Sequence, residues 1–219
     1  MTLAEFIAEF RRVRDDTKPD YLWSDEEITS YLNDAVNEAC ERALLIEDRT
    51  TADVCTVSLS IGEPNYPIHD SIIKIKRVTL GGARLPETSV EAMDEEETFW
   101  ENRSGKPTRF IRDGETSIRV VPTPVEAADL SMTVYRTPLE PLVVDRPDES
   151  PEIKSIYHYR LLPWVYRCAL LKQDAETLDK DRALEQENLF TFNFGVRPDA
   201  NVQRKHRDRN PPLVSMGSW

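Results

Sequence analysis

Glycine and the familiar catalytic motifs are scarce in this sequence. Only 7 of the 219 residues are glycine, against 15 prolines, so the glycine-rich loops that hold phosphates are disfavoured. The GxSxG turn of serine hydrolases is absent. The three cysteines, Cys40, Cys55 and Cys168, are widely spaced and form no CxxC pair. This argues against a zinc site and against a disulfide framework, and we expect reduced, mostly buried thiols and no cofactor.

Long apolar segments and excess positive charge are also missing. No apolar run approaches the ~20 residues that a helix needs to cross a bilayer. No basic residue precedes Glu5 at the start of the chain, so we expect a protein that is made and folded in a cytoplasm, without a signal peptide. With 28 basic and 40 acidic residues the formal net charge is −12. That charge disfavours a protein that wraps DNA, because phosphate binding needs a cationic face.

Two amphipathic helices are predicted at the start of the chain. Thr2 with Glu5, and Ser24 with Glu27, have the three-residue spacing of a capping box. After each box the apolar residues recur at helical intervals, which gives each helix one apolar face. The first helix is expected to break at Lys18–Asp20 because that segment contains a proline.

The apolar period changes from helical to alternating after Asp48. The Gly81-Gly82 pair is typical of a two-residue hairpin turn, and Ser89–Trp100 is predicted to be a short acidic helix. Short strands this close together indicate a small antiparallel sandwich or barrel-like region. The predicted strands are Cys55–Ile61, Ser71–Leu80, Arg109–Arg112, Ser117–Val121 and Leu130–Arg136.

The segment Pro151–Gly195 contains the most apolar part of the chain. Between Leu161 and Leu171 only Pro163 and Arg167 interrupt the apolar residues. We predict a helix that Pro163 kinks and that other elements or other subunits enclose. A polar helix from about Ala175 to Phe190 follows and closes at Gly195. The candidate core or subunit-packing residues are Leu161, Trp164, Val165, Leu171, Phe190, Phe192 and Phe194.

The final segment, Val196–Trp219, is basic, unlike the rest of the chain. It carries five arginine or lysine residues against two aspartates and shows no apolar periodicity. We expect an extended tail that is disordered alone. It is either a solvated terminus or a segment that docks on an acidic partner. The candidate docking residues are Arg197, Arg204, Lys205, Arg207, Arg209 and Trp219.

Two further features could suggest chemistry. The run Asp94–Glu97 is interpreted as a solvated helix face, because a metal site needs ligands that converge. His158, between two tyrosines, is interpreted as structural, since a general base needs a partner and a cleft that the sequence does not indicate. We therefore predict no catalytic and no metal-binding residue.

Several short segments follow one another in a characteristic order. Their order, rather than any single motif, resembles the bacteriophage head–tail adaptor proteins of the tail tubular protein A type, over about residues 2–195. The segments are Trp23–Ile28, Tyr31–Ala35, Tyr66–Ile68, Ile73–Leu80, Gly105–Pro107, Ile118–Pro124, Val134–Arg136, Pro151–Ile153, Tyr157-His158, Trp164–Leu171, Lys172–Glu176 with Asp179, and Phe194-Gly195.

The resemblance implies a structural virion protein rather than an enzyme. It implies a homo-oligomer, a dodecameric ring, that joins the portal protein to a tail or nozzle protein. DNA would pass through its axial channel without sequence-specific binding, and no membrane is involved. The implied location is the neck of the virion, after assembly in the cytoplasm of a bacterial host. The family offers no catalytic residues to carry over.

Together these patterns predict an α+β fold. The N- and C-terminal helices, 1–48 and 151–195, are expected to form a helical bundle. Residues 49–150 are expected to form the small antiparallel β-sandwich or barrel-like domain, and residues 196–219 the basic tail. Two alternatives stay open: an enzyme with a metal- or carboxylate-dependent site in the β region, and a monomeric regulatory module that binds through its basic tail.

Overall fold

The computed structural model describes residues 1–18, 20–112, 114–173 and 177–199 of the chain. It is a mixed α+β structure, as predicted, and it divides into two compact units. The helical unit contains Met1–Glu47 and Tyr135–Arg197, and the β unit contains Asp48–Val134. The connection over residues 135–150, which the sequence assigned to the β domain, therefore lies in the helical unit.

Both N-terminal helices begin at the predicted capping boxes. Helix α1 spans Leu3–Arg14 and helix α2 spans Asp25–Ala43. The hydroxyl of Ser24 accepts a hydrogen bond from the Glu27 backbone N–H, and the Glu27 carboxylate accepts one from the Ser24 N–H. The same reciprocal pair joins Thr2 and Glu5 at the start of α1. These bonds satisfy donors that no helical carbonyl can reach, so they fix where each helix starts.

Arg11 ties the end of α1 to the start of α2. Its guanidinium lies 2.9 Å from Oδ2 of the buried Asp16 and 2.6 Å from Oδ1 of Asp25. It also donates to the Trp23 carbonyl oxygen at 3.1 Å. Helix α1 ends at Arg14, where Asp15 adopts a left-handed conformation with φ 54°. The break therefore precedes the predicted Lys18–Asp20 turn, and Arg11 holds the returning chain in place.

The C-terminal helices differ from the sequence prediction. A 3₁₀ helix, Ser155–Leu161, leads directly into helix α5, Leu162–Leu170. Pro163 therefore lies in the first turn of α5 and does not kink it, because the first turn of a helix needs no donor at that position. The following helix, α6, begins at the cap Asp179 and spans Lys180–Phe194, later than predicted. Helix α5 packs against both α2 and α6.

The β unit contains open sheets built from short strands. The strands are β1 Ile46–Asp48, β2 Thr56–Leu59, β3 Asn65–Pro67, β4 Ile72–Leu80, β5 Ala83–Leu85, β6 Glu87–Thr88, β7 Ser104–Gly105, β8 Arg109–Ile111, β9 Ser117–Val121, β10 Thr123–Pro124 and β11 Ala128–Arg136. The strand order is β1-β11-β4-β5 in one sheet, with β2 also paired to β11, and β3-β9-β8-β6 in another; β7 and β10 form a two-stranded pair. Two short helices, α3 (Ala52–Cys55) and α4 (Val90–Glu96), and a 3₁₀ turn, Trp100–Asn102, connect strands.

Side chains from the two larger sheets share one hydrophobic core. Val78 and Leu130 from one sheet, and Ile118 and Val120 from the other, belong to the same buried cluster. Two strand pairs, β6 with β8 and β7 with β10, are parallel, so the predicted antiparallel arrangement is wrong for these two pairs, whereas pairs such as β4 with β5 and β8 with β9 are antiparallel. The described sheets are open rather than closed into a barrel.

The predicted turns and strands of the β unit are largely present. Gly81 and Gly82 connect β4 to β5 with φ of 56° and 82°, the positive values that a two-residue hairpin of this type requires. The predicted strand at Cys55–Ile61 is shorter, because Cys55 ends the short helix α3 and Ile61 lies exposed in a turn. Gly62 closes that turn by donating its N–H to the Pro124 carbonyl oxygen at 2.9 Å.

The capping box of α2 gives a stability prediction. Replacing Ser24 with alanine removes the acceptor for the Glu27 N–H, and we expect a loss of about 1 kcal/mol in the free energy of unfolding, measured by urea denaturation. Ser30→Ala is the matched control, since Ser30 is exposed inside the same helix and should change stability by less than about 0.5 kcal/mol. Equal effects of the two substitutions would contradict the capping role.

Candidate interaction surfaces

A buried arginine lies at the C-terminal end of α2. The Arg42 side chain is 2% exposed, and its Nη2 lies 2.6 Å from Oε1 of Glu38, which is 7% exposed. Its Nη1 donates to Thr191 Oγ1 at 3.0 Å and to the Gly195 carbonyl oxygen at 3.1 Å. One guanidinium therefore joins α2 to the last turn and the C-terminal cap of α6.

Aromatic rings surround the same guanidinium. The central carbon of Arg42 lies 5.3 Å from the Trp164 ring centroid and 5.2 Å from that of Phe190. A second arginine, Arg167, lies 4.6 Å from the Trp164 ring and pairs with Glu187 at 2.8 Å. A cation over an aromatic face is favoured more strongly when both are shielded from water. These contacts hold α2, α5 and α6 together.

The seven residues predicted to lie in the core or at a subunit interface divide into two groups. Leu161, Trp164, Val165, Phe190 and Phe194 are buried within the helical unit. The other two, Leu171 and Phe192, are exposed, and Phe192 is 89% exposed.

The apolar helix α5 is covered by helices of its own chain, since α2 and α6 pack against it. Helix α6, in contrast, carries three exposed apolar side chains. Its inner side buries Ala183, Phe190 and Phe194. Leu184, Leu189 and Phe192 are each more than half exposed. The sequence prediction described this helix as polar and named Phe192 as a candidate packing residue, but it missed Leu184 and Leu189.

His158 has a structural position. Its ring is buried, and Nε2 lies 3.0 Å from the Ile153 carbonyl oxygen, so this nitrogen is the donor. Its Nδ1 lies 2.7 Å from the amine nitrogen of Met1. Both ring nitrogens are thus occupied by groups of the helical unit, in agreement with the structural interpretation.

The described start of the basic tail lies beside α2. Nη2 of Arg197 lies 3.5 Å from Glu38 and 3.9 Å from Glu41. The other predicted docking residues, Arg204, Lys205, Arg207, Arg209 and Trp219, lie outside the described residues. Glu38 therefore contacts two arginines, the buried Arg42 and the exposed Arg197.

The acidic run Asp94–Glu97, at the C-terminal end of α4, makes contacts with basic and polar groups. Trp100 donates its indole N–H to Asp94 at 2.8 Å, and Arg103 pairs with Glu97 at 2.6 Å. Glu96 pairs with Arg109, whose hydrogen bonds hold the pKa of that carboxyl below its usual range. Within residues 1–18, 20–112, 114–173 and 177–199, no group of three His, Cys, Asp or Glu side chains is placed to bind a metal ion.

Comparison with known proteins places the chain in a family. The SU10 adaptor protein family matches residues 1–214. The chain belongs to this family. Membership confirms the resemblance to bacteriophage adaptor proteins and indicates a structural role, whereas the finer relation to the tail tubular protein A type stays a prediction. No curated protein matches the sequence. None of the adaptor's described helices is long and apolar enough to cross a membrane.

The buried position of Arg42 in this adaptor leads to a second prediction. Arg42→Met leaves the buried Glu38 with the exposed Arg197 as its remaining ion-pair partner among the described residues. We therefore expect the helical unit to lose about 3–5 kcal/mol in urea denaturation. Arg146→Met is the control, because Arg146 pairs with Glu140 and Glu149 at the surface. We expect it to cost no more than about 1 kcal/mol. A loss that small for Arg42→Met would show that the buried pair does not hold the helices.

The cysteines give a third prediction. Burial raises the pKa of the Cys40 thiol to about 12, so at pH 8 about one thiol in 10,000 is the reactive thiolate. Iodoacetamide at pH 8 should leave Cys40 unmodified in the folded adaptor and modify it in urea, as measured by peptide mass.

The same shift sets the sign of a pH effect. Because the folded pKa of Cys40 is raised, its contribution to stability is complete below the unfolded thiol pKa of about 8.5 and is lost as pH rises toward 12.

In the iodoacetamide experiment, modification of Cys40 at similar rates in the folded and the unfolded protein would contradict its burial.

Proposed function

We propose that this protein is the head-to-tail adaptor of a bacteriophage virion. Copies of the chain form a ring, a dodecamer in the form that the resemblance implies, between the portal protein and a tail or nozzle protein. The observation that carries the proposal is the family match over residues 1–214 of 219. In this proposal the subunits are made in the host cytoplasm, and the helices of the helical unit act as one bundle, with the β unit as a small sandwich-like body.

The acidic composition supports a channel through which DNA moves. With a formal net charge of −12, the subunit repels phosphate, whereas a DNA-binding groove attracts it. We propose that part of this acidic excess faces the ring axis and lets DNA pass without adhering. An assembled ring whose acidic side chains all lie on its outer wall would overturn this part of the proposal.

The basic tail is proposed to dock on the portal. Arg197 ties the start of the tail to Glu38 and Glu41 of α2. The four basic residues beyond it, Arg204, Lys205, Arg207 and Arg209, carry charge suited to an acidic surface. A cationic segment of this length can cover a large surface of its partner.

The proposed function is tested by mixing the purified chain with the portal protein of the same phage. We expect either rings of the chain alone or a monomer that becomes a ring on the portal, observed by negative-stain microscopy and native mass spectrometry. A chain that stays monomeric and unbound when the portal is present would overturn the proposal.

The role of the tail is tested in the same assay. A chain that ends at Asp199 keeps the Gly195 cap of α6 and the Arg197 ion pairs, so we expect a wild-type circular dichroism spectrum and weaker binding to the portal. Raising the salt concentration should weaken binding of the full-length chain more than that of the shortened chain. Equal portal affinity of the two chains would contradict docking by the tail.

A further inference from the structure

Helix α6 carries a surface that the described residues of its own chain leave uncovered. Phe192 is 89% exposed, and Leu184 and Leu189 are also more than half exposed, although the inner side of the same helix is fully packed. Aromatic and aliphatic side chains grouped in this way are typical of protein interfaces rather than of scattered surface residues.

The exposed residues form one continuous band on α6. Because each residue advances about 100° around the helix axis, Leu184, Leu189 and Phe192 lie on the side opposite the buried Phe190 and Phe194. Asp181 and Glu185 lie on the same side and are exposed acids that form no ion pair with any described residue. We name this band the α6 outer face; it consists of Asp181, Leu184, Glu185, Leu189 and Phe192.

A second exposed apolar surface lies on the 3₁₀ helix Ser155–Leu161. His158 and Leu161 face the core, while Ile156 and Tyr159, three residues apart, project outward and are 66% and 63% exposed. Because a 3₁₀ helix has three residues per turn, these two side chains lie one above the other.

This second surface carries charge of the opposite sign. Lys154 and Arg160 flank Ile156 and Tyr159, are exposed, and form no ion pair within the described part of the chain. Arg160 instead lies over the Tyr157 ring at 5.8 Å. We name this surface the 154–160 ridge; it consists of Lys154, Ile156, Tyr159 and Arg160.

We infer that the α6 outer face of one copy binds the 154–160 ridge of the next copy. The α6 outer face has three large apolar side chains and the 154–160 ridge has two. Each surface also has two charges that pair with no described residue, and these are negative on the α6 outer face and positive on the 154–160 ridge. Contact between two α6 outer faces would place Asp181 and Glu185 against their own counterparts, which like-charge repulsion disfavours. A contact between two different surfaces is heterologous and closes into a ring when its rotation allows. The inference rests on the proposed function and assigns its subunit contact.

Charge reversal with rescue tests the pairing in the full-length chain. The first variant is Asp181→Lys with Glu185→Lys, and the second is Lys154→Glu with Arg160→Glu. Since all four residues are exposed and form no ion pair with described residues, both variants should fold. We expect each variant alone to associate at least about tenfold more weakly than wild type. An equimolar mixture restores every contact only where the two variants alternate around a ring of even copy number, so the simpler rescue is a single chain that carries all four substitutions.

The four-substitution chain should regain ring formation, because the opposite charges face each other again. A matched control is Glu63→Lys with Glu126→Lys, which makes the same charge change at two exposed loop positions of the β unit and should assemble like wild type. Assembly is measured by sedimentation velocity and negative-stain microscopy, for the chain alone and on the portal. Phe192→Ser should weaken association as well, by at least about tenfold.

The outcomes separate this inference from the proposed function. If wild type forms rings and both reversed variants form them equally well, or if the four-substitution chain stays defective, the assigned pairing is wrong and the adaptor function stands. If the reversed variants form rings but lose the portal, the two surfaces bind that partner instead, and the pairing is again overturned. If wild type forms no ring, alone or on the portal, both proposals fail.

Discussion

In the helical unit, the packing of α2, α5 and α6 depends on the buried cation Arg42. Removing a guanidinium from water is costly unless its charge and its donors are satisfied. Glu38 balances the charge, the Thr191 hydroxyl and the Gly195 carbonyl accept its hydrogen bonds, and the aromatic rings of α5 and α6 face it. Because these partners come from α2, α5 and α6, Arg42 fixes the rotation of α6 about its own axis. That rotation decides which side of α6 is buried and which is exposed.

The N-terminal half of the helical unit could be predicted from sequence because its signals are local. A capping box specifies a helix start within four residues, and both boxes formed as expected. The C-terminal half could not be predicted so well. Pro163 is compatible with either a kink or a first turn, and only packing against α2 and α6 decides that α5 begins beside it. The short parallel pair β6–β8 likewise depends on contacts between distant segments.

Phe192 was named from the sequence as a candidate core or packing residue, but its place on an exposed side of α6 was missed although the signal for it is present in the sequence. Phe190, Phe192 and Phe194 alternate with a period of two, whereas a helix has 3.6 residues per turn. Once the segment is helical, Phe190 and Phe194 share one side and Phe192 must lie on another. Arg42 also has a signal, since a charged residue on the apolar side of α2, four residues after Glu38, suggests a buried ion pair. Which helix would cover that pair is not encoded locally.

In the proposed assembly, the distribution of charge keeps a chain with exposed apolar surfaces dispersed until it meets its place of assembly. A net charge of −12 on every copy produces long-range repulsion. The apolar side chains and the opposite charges of the α6 outer face and the 154–160 ridge act only at contact, over a few ångströms. Two copies that approach each other are therefore repelled by their net charge before the apolar and opposite-charge contacts can form. A partner that binds several copies at fixed positions brings their surfaces within contact distance, because the association of neighbouring copies then becomes an intramolecular step. This physics favours ring formation on a template over ring formation in free solution.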